Sequence, residues 1–221
     1  MSRLNEIINY FKEDGFEDYK ISSCKADTKM LSMLIAFYAH RNQKRENGEP
    51  YVNHPLRLYE SFRKFLDLDS DNSLDMDLMF KFSVQYDGVE EVCLLHDVVE
   101  DTDFTIGDIS EIFNETGHID YFNLFIKMPL ELITHKKSNK DLSTKEWNKD
   151  YDNYISLCLK HPTSALVKML DLEDNLNVFG LNNLSKYKYN RCKKYLKYIY
   201  IINKEFHFLE RRRAYFKALG K

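Results

Sequence analysis

Apolar side chains recur at helical spacing along nearly the whole chain, and almost nothing interrupts them. Only 7 Gly and 4 Pro occur among 221 residues, too few for a turn-rich β-sandwich, a collagen-like chain or a flexible low-complexity linker. Leu4, Ile7, Ile8 and Phe11 outline an opening helix. Met30, Leu31, Leu34, Phe37 and Tyr38 outline a second, with Asp27 or Thr28 as its N-cap. Pro55 suits a first helical turn, where its missing N–H costs nothing, and Leu58, Tyr59, Phe62 and Phe65 continue that helix. An apolar helix is expected from about Val89 to Glu100, and Thr105 opens another through Ile106, Ile109, Ile112 and Phe113. After Gly117 an apolar helix runs toward Thr134, kinked or shortened by Pro129. Ser143 with Glu146 reads as a capping box for a helix through Tyr151, Tyr154, Ile155 and Cys158. Pro162 starts the next, and one long aromatic-rich helix is expected over about 184–218. Loops are expected at 42–53, 67–75 and 136–145. No repeat and no alternating strand pattern stands out. The expectation is an all-α bundle, a single domain over 1–221.

Charge narrows the partners. With 32 Lys+Arg against 35 Asp+Glu, the chain lacks the basic footprint of a nucleic-acid binder. Cys24, Cys93, Cys158 and Cys192 are scattered with no C-x-x-C pair and read as reduced core residues. No apolar run is long enough to span a membrane, and no signal peptide is evident, so a cytoplasmic location is expected. Arg211-Arg212-Arg213 reads as a solvated helix C-terminus. His118, His135 and His161 fall beside element boundaries and read as capping or surface residues. His207 falls inside the last helix.

The chemistry concentrates in His96-Asp97-Val98-Val99-Glu100-Asp101-Thr102. On a helix, His96 stacks with Glu100 and Asp97 with Asp101, giving four ionisable groups on one strip. Val92, Leu95 and Val99 would anchor the helix in the core. Glu100 and Asp101 alone fit a solvated face equally well. His96 and Asp97 follow an apolar half-helix, where a carboxylate needs a compensating cation. Two further segments carry a candidate ligand at an element edge. His54 closes Ala39-His40-…-Pro50-Tyr51-Val52-Asn53-His54-Pro55, and Asp171 lies in Val167-Lys168-Met169-Leu170-Asp171-Leu172-Glu173-Asp174-Asn175.

Together the three segments follow A-H-x-x-Q-x-R-x-x-G-x-P-Y-x-x-H-P, L-L-H-D-x-x-E-D-T and K-L-x-D-x-x-x-N, the last with Met169 at its leucine position, in that order, over 39–175. The chain thereby resembles the alarmone hydrolase domain of the Rel/SpoT family, among the HD-type metal phosphohydrolases. The resemblance implies an HD-domain-like bundle in which His54, His96, Asp97 and Asp171 hold one divalent metal, usually manganese. It implies that Glu100 and Asp101 position and deprotonate the attacking water. Arg45 and Asn175 would contact phosphates and ribose, and Tyr195, in an R-x-x-x-Y match, would pack near the nucleotide. His40 would support the site from a helix end. The implied substrate is guanosine tetra- or pentaphosphate, cleaved at the 3′-pyrophosphate by a stand-alone hydrolase. The alternatives are another nucleotide (an adenine alarmone or NADPH) or a non-catalytic nucleotide sensor. Three further departures from the pattern are visible. Glu46 replaces a usually basic residue, Leu172 follows Asp171 where Arg is usual, and His96 lies 42 positions after His54, with an acidic segment around 67–77 filling the excess.

Overall fold

The computed structural model describes residues 2–65, 86–135, 144–176 and 185–218. The expected loops at 67–75 and 136–143, and the capping residue Ser143, lie outside the described residues. Everything described is helix or connection, apart from an isolated antiparallel bridge between Lys44 and Pro50.

Helices α1 (Arg3–Glu13), α2 (Asp18–Lys25), α3 (Thr28–Ala39) and α4 (Asn53–Phe65) are followed by α5 (Val89–Leu95), α6 (Val98–Asp101) and α7 (Ile106–Glu115). Next come α8 (Ile119–Tyr121), a π-helical turn (Phe122–Ile126), α9 (Lys127–Ile133), α10 (Thr144–Cys158), α11 (Pro162–Asp174), α12 (Lys186–Phe206) and α13 (Phe208–Ala218). Helix α5 is the hub. Val92, Cys93, Leu94 and Leu95 are fully buried, and α3, α4 and α11 pack around it. Burying one such aliphatic side chain contributes about 1.5–3 kcal/mol, so a short helix whose C-terminal half is entirely apolar is held by its neighbours. Asp27 caps α3 by accepting the N–H groups of Lys29 and Met30. Thr105 and Asp108 close a reciprocal capping box on α7.

Several expectations are corrected. Helix α2 was not read from the sequence; only Ile21 and Cys24 of it are buried. Met30 and Phe37 belong to the helix they outline but lie on its exposed side. The helix expected over Val89 to Glu100 is interrupted at His96 and Asp97, and the change of phase puts Val98 in the core, leaving Val99 only partly buried. Pro129 does not end its helix. The π turn one helical turn earlier takes up the irregularity, because proline cannot donate to the Phe125 carbonyl and its ring crowds that position. That carbonyl points at Gly88, whose φ is +79°, and a Cβ there would sit 2.5 Å from the Phe125 oxygen.

The single C-terminal helix expected over 184–218 is two helices, broken at His207, which adopts a left-handed φ of 54°. Asn203 and stacked Phe206 and Phe208 brace the break: the Leu209 N–H donates to the Asn203 side chain, and the rings lie 5.1 Å apart. The reversal carries Arg212 back to α4, where its guanidinium donates to the carbonyls of Phe65 and Lys64. The arginine run therefore lies in the first half of the last helix, and Arg212 serves the C-terminus of a different one.

Candidate metal centre

Three backbone segments converge on one buried cluster. The first is the 40–54 segment. The Arg45 N–H donates to the Glu49 carbonyl, the Tyr51 N–H to the Gln43 carbonyl, and Gly48 turns the loop at φ +87°. This closed loop delivers Arg45, Tyr51 and His54 to the same side. The second is the α5–α6 junction with His96 and Asp97. The third is the end of α11 with Lys168, Asp171, Asp174 and Asn175.

His54 is 2% exposed and His96 3%. The Nδ1–H of His96 donates to the Cys93 carbonyl at 2.9 Å, which leaves Nε2 as the nitrogen that faces Asp97, free to offer a lone pair to a metal or to carry a proton in its place. That Nε2 is buried with no hydrogen-bond partner, although Asp97 Oδ1 lies 3.2 Å away. His54 Nδ1–H donates to Asp174 at 2.7 Å, and its Nε2 lies 3.1 Å from Asp171 and 3.5 Å from Asp97. One ligand atom each from His54, His96 and Asp97 falls within 4.8 Å of the others.

An orphaned imidazole nitrogen beside a second imidazole and a carboxylate fits a divalent ion well. The electrostatics without one say the same. Burial resists ionisation of Asp97, yet His96 and His54 outweigh it and hold the carboxyl well below its usual range. Burial also opposes charge on His54, but Asp171 and Asp174 raise it to about 9. Protons thus occupy a place between ring nitrogens and carboxylates that a divalent ion can take.

Asp171 completes the predicted ligand set only in part. It approaches His54, but Lys168 donates to its Oδ2 at 2.6 Å and Asn175 to its Oδ1 at 2.6 Å. Lys168 is buried, which disfavours its charge, and Asp171 more than restores it. The predicted acids sit beside the cluster. Asp101 is joined to Asp97 through Tyr51, whose hydroxyl lies 2.8 Å from an oxygen of each. Burial and these two carboxylates push the Tyr51 phenol far above its ordinary range, so it stays a donor. Gln43 donates to the Asp101 carbonyl at 2.6 Å, and His40 stacks on Tyr51 at 4.7 Å, supporting this corner from the end of α3. Glu100 turns the other way and accepts the His135 N–H at 3.1 Å.

At the rim, Arg45 donates to Asp174 at 3.1 Å and to Asn175 at 2.8 Å, so the two predicted substrate contacts are linked to each other. Tyr195 is half-buried against the core and close enough to feel Asp171 and Lys168. Glu46 is exposed and lies 3.6 Å from Lys188 of α12. His161 caps α11, accepting the Thr163 N–H; His135 pairs with Asp150, and His118 meets the Lys25 carbonyl.

Asp174, Tyr51 and Lys168 are residues of the cluster to which no sequence motif assigns a role. Asp174 holds His54, Arg45 and Arg57 together, with Arg57 Nε at 2.7 Å. The signal was charge spacing: Arg57 lies three residues after His54, Asp174 three after Asp171, and Lys168 three before it, each pair on one helix face.

No family model matches the chain. In sequence it is 28% identical over 140 residues to a protein of Mycoplasma genitalium named "Probable guanosine-3′,5′-bis(diphosphate) 3′-pyrophosphohydrolase", covering 62% of this chain and 16% of that protein. It is 28% identical to the Aquifex aeolicus "Guanosine-3′,5′-bis(diphosphate) 3′-pyrophosphohydrolase", over 67% of this chain and 17% of that one. It is 26% identical to the Drosophila melanogaster protein named "Guanosine-3′,5′-bis(diphosphate) 3′-pyrophosphohydrolase MESH1", over 75% of this chain and 77% of that one. The chain thus spans less than a quarter of the bacterial relatives and most of the insect one. A solved structure described as "A metazoan ortholog of SpoT hydrolyzes ppGpp and plays a role in starvation responses" superposes with a TM-score of 0.50 at 23% identity, over 80% of this chain and 84% of that one. The fold is all-α and HD-domain-like, and the resemblance to alarmone hydrolases read from the three motifs is present in sequence and in fold. Among the described residues, no helix is long and apolar enough to cross a membrane.

Proposed function

We propose that this chain is a metal-dependent phosphohydrolase that removes the 3′-pyrophosphate of guanosine tetra- or pentaphosphate, leaving GDP or GTP. The observation that carries the reading is the convergence of His54, His96 and Asp97 on one buried locus, with Asp171 against His54 and with Arg45 and Asn175 at its rim. Relatives named for this reaction, one of them of similar length to this chain, support it.

His54, His96, Asp97 and Asp171 would hold one divalent ion, most simply manganese. When bound, such an ion acidifies water toward neutrality and offsets charge on phosphoryl oxygens. The residues of the chain do the rest. Asp101, coupled to Asp97 through the Tyr51 hydroxyl, accepts the proton of the attacking water, while Glu100 would have to leave the His135 N–H and turn toward the cluster to share that role. Arg45 brings a guanidinium that can leave Asp174 for a phosphate without losing a charged partner. Asn175, anchored by its own amide on Asp171, turns its oxygen to Arg45 or to a ribose hydroxyl. Tyr195 lies on the side of α12 that faces α11, placed to pack against the nucleotide. The working unit is the single domain, acting on a small nucleotide and not on nucleic acid, in a reducing cytoplasm that keeps its cysteines free.

The test is pyrophosphate release from guanosine tetraphosphate by purified protein with manganese, with metal content measured on the same sample. Release with GDP as co-product is expected. No release from metal-loaded protein refutes the reading. Glu46 is the observation that favours a different base, and a panel of guanine and adenine alarmones and NADPH, run on wild type and Glu46→Lys, separates the two.

A further inference from the structure

Away from the metal-binding face, one ammonium group among the described residues is buried with no hydrogen-bond partner: Nζ of Lys194. Aromatic rings take the place of acceptors. Nζ lies 3.2 Å from the centroid of Trp147 and 3.6 Å from that of Tyr151, with Tyr198 at 5.7 Å. Trp147 and Tyr151 stand four residues apart on α10 and stack at 5.5 Å. Tyr198 stands four residues after Lys194 on α12 and tilts onto Tyr151 at 5.1 Å. Ring quadrupoles attract a cation, and the attraction strengthens as water is excluded.

The arrangement is interhelical. The two nearest rings belong to α10 and the cation to α12. Asp152 reinforces the seam at its edge, accepting from the Tyr198 hydroxyl at 2.6 Å and from Lys197 at 3.1 Å. It is also connected to the candidate metal centre. Tyr151 is shared, because Lys168 Nζ lies 5.9 Å from the same ring while donating to Asp171. The residue after Lys194 is Tyr195, and Lys188, two turns earlier on α12, reaches Glu46.

We propose that Lys194 is a positioning residue: seated in the Trp147–Tyr151–Tyr198 cage, it clasps α12 to α10 and sets where Tyr195 and Lys188 stand against the nucleotide. The nucleotide half of this statement rests on the proposed activity; the clasp does not.

The full chain provides the test. Trp147 is the only tryptophan, so its emission reports the cage directly. Lys194→Met keeps the stem and removes the charge; Lys194→Arg keeps the charge. In Lys194→Met, amide exchange across 186–206 should speed up at least about tenfold while 89–95 stays protected, and the emission should shift. KM for guanosine tetraphosphate should rise about tenfold with kcat held within about twofold, and Lys194→Arg should restore every readout. Unchanged exchange and emission in Lys194→Met overturn the clasp. So does failure of Lys194→Arg to restore them, since packing and not charge would then be responsible. Altered exchange with unchanged KM overturns the link to the nucleotide. If wild type does not turn over the tetraphosphate, the proposed activity fails, while exchange and emission still decide the clasp. Should Lys194→Met not fold, wild-type emission titrated with pH replaces it. Burial lowers Lys194, Asp152 opposes this, and Lys168 and Lys197 add to it, placing the group at about 8. The step marks loss of the Lys194 proton and moves upward the more strongly the rings hold the cation, so a featureless emission profile from pH 7 to 11 overturns the clasp and a step within that range supports it.

Discussion

Asp174→Asn is the sharpest perturbation of the metal centre, because it changes no ligand. The carboxylate is 10% exposed and carries four contacts: His54 at 2.7 Å, Arg45 at 3.1 Å, and Arg57 at 2.7 and 3.1 Å. Asparagine keeps the shape but loses the charge, and its amide must present an N–H₂ either to the His54 N–H or to a guanidinium. Each lost charge-assisted bond is worth about 1.5–3 kcal/mol. The share that reaches the metal is the one made by His54 Nδ1–H, which orients the ring and raises the basicity of Nε2. Removing such a partner lowers metal affinity about 10–100-fold, or roughly 1.4–2.7 kcal/mol. Competition against a chromophoric chelator measures this with manganese, and zinc or cobalt serve as stronger-binding comparisons. The metal-free protein gives an independent sign check. Burial disfavours the Asp174 anion, but His54 and Arg57 hold its carboxyl below the ordinary range. Its stabilisation is therefore complete above the unfolded carboxylate pKa and lost as pH falls through the folded value. The stability gap between wild type and Asp174→Asn should be widest near pH 7 and close in acid. Unchanged manganese affinity in a folded Asp174→Asn protein would refute the reasoning.

Two other expectations concern the scaffold. Gly88→Ala places a Cβ at positive φ and against the Phe125 carbonyl; it should cost at least about 3 kcal/mol and lower Tm by roughly 6–12 °C, and an unchanged melting curve would contradict the close approach. Glu91 is buried on α5, and burial raises its carboxyl above the usual range even though the Thr28 hydroxyl donates to it. A raised acid contributes stability at low pH that is lost as pH rises through its folded value, so Glu91→Gln should raise Tm by roughly 2–4 °C at pH 7 and give little at pH 4.

The sequence carried the fold class because amphipathic spacing and caps are local signals. Asp27 and Thr105 announced helix starts, and few residues were present to break what followed. Helix α2 escaped because exposed polar residues crowd its few buried ones. The phase change at His96 and Asp97, which exchanged Val99 for Val98, escaped because it is set by what the two side chains bind across the interior. The left-handed turn at His207 escaped for a related reason. No glycine or asparagine marks it, and it is braced by Asn203, Phe206 and Phe208 from either side. In the candidate site, ligand-type residues stood out because an imidazole or carboxylate in an apolar stretch demands a partner. Asp174 and Lys168 did not, since charged residues near helix ends are ordinary until the tertiary fold reveals what they touch.

The return of Arg212 to the Phe65 carbonyl has a consequence for the newly made chain. The two residues are 147 positions apart. At about 5–20 residues per second of synthesis, α4 leaves the ribosome about 7–30 s before the guanidinium that covers its C-terminal carbonyls exists. Through that interval the Phe65 and Lys64 carbonyls lack the Arg212 donor that meets them in the finished fold. The contact forms only when α13 folds back, so the C-terminus of α4, an early helix, is completed by one of the last segments made.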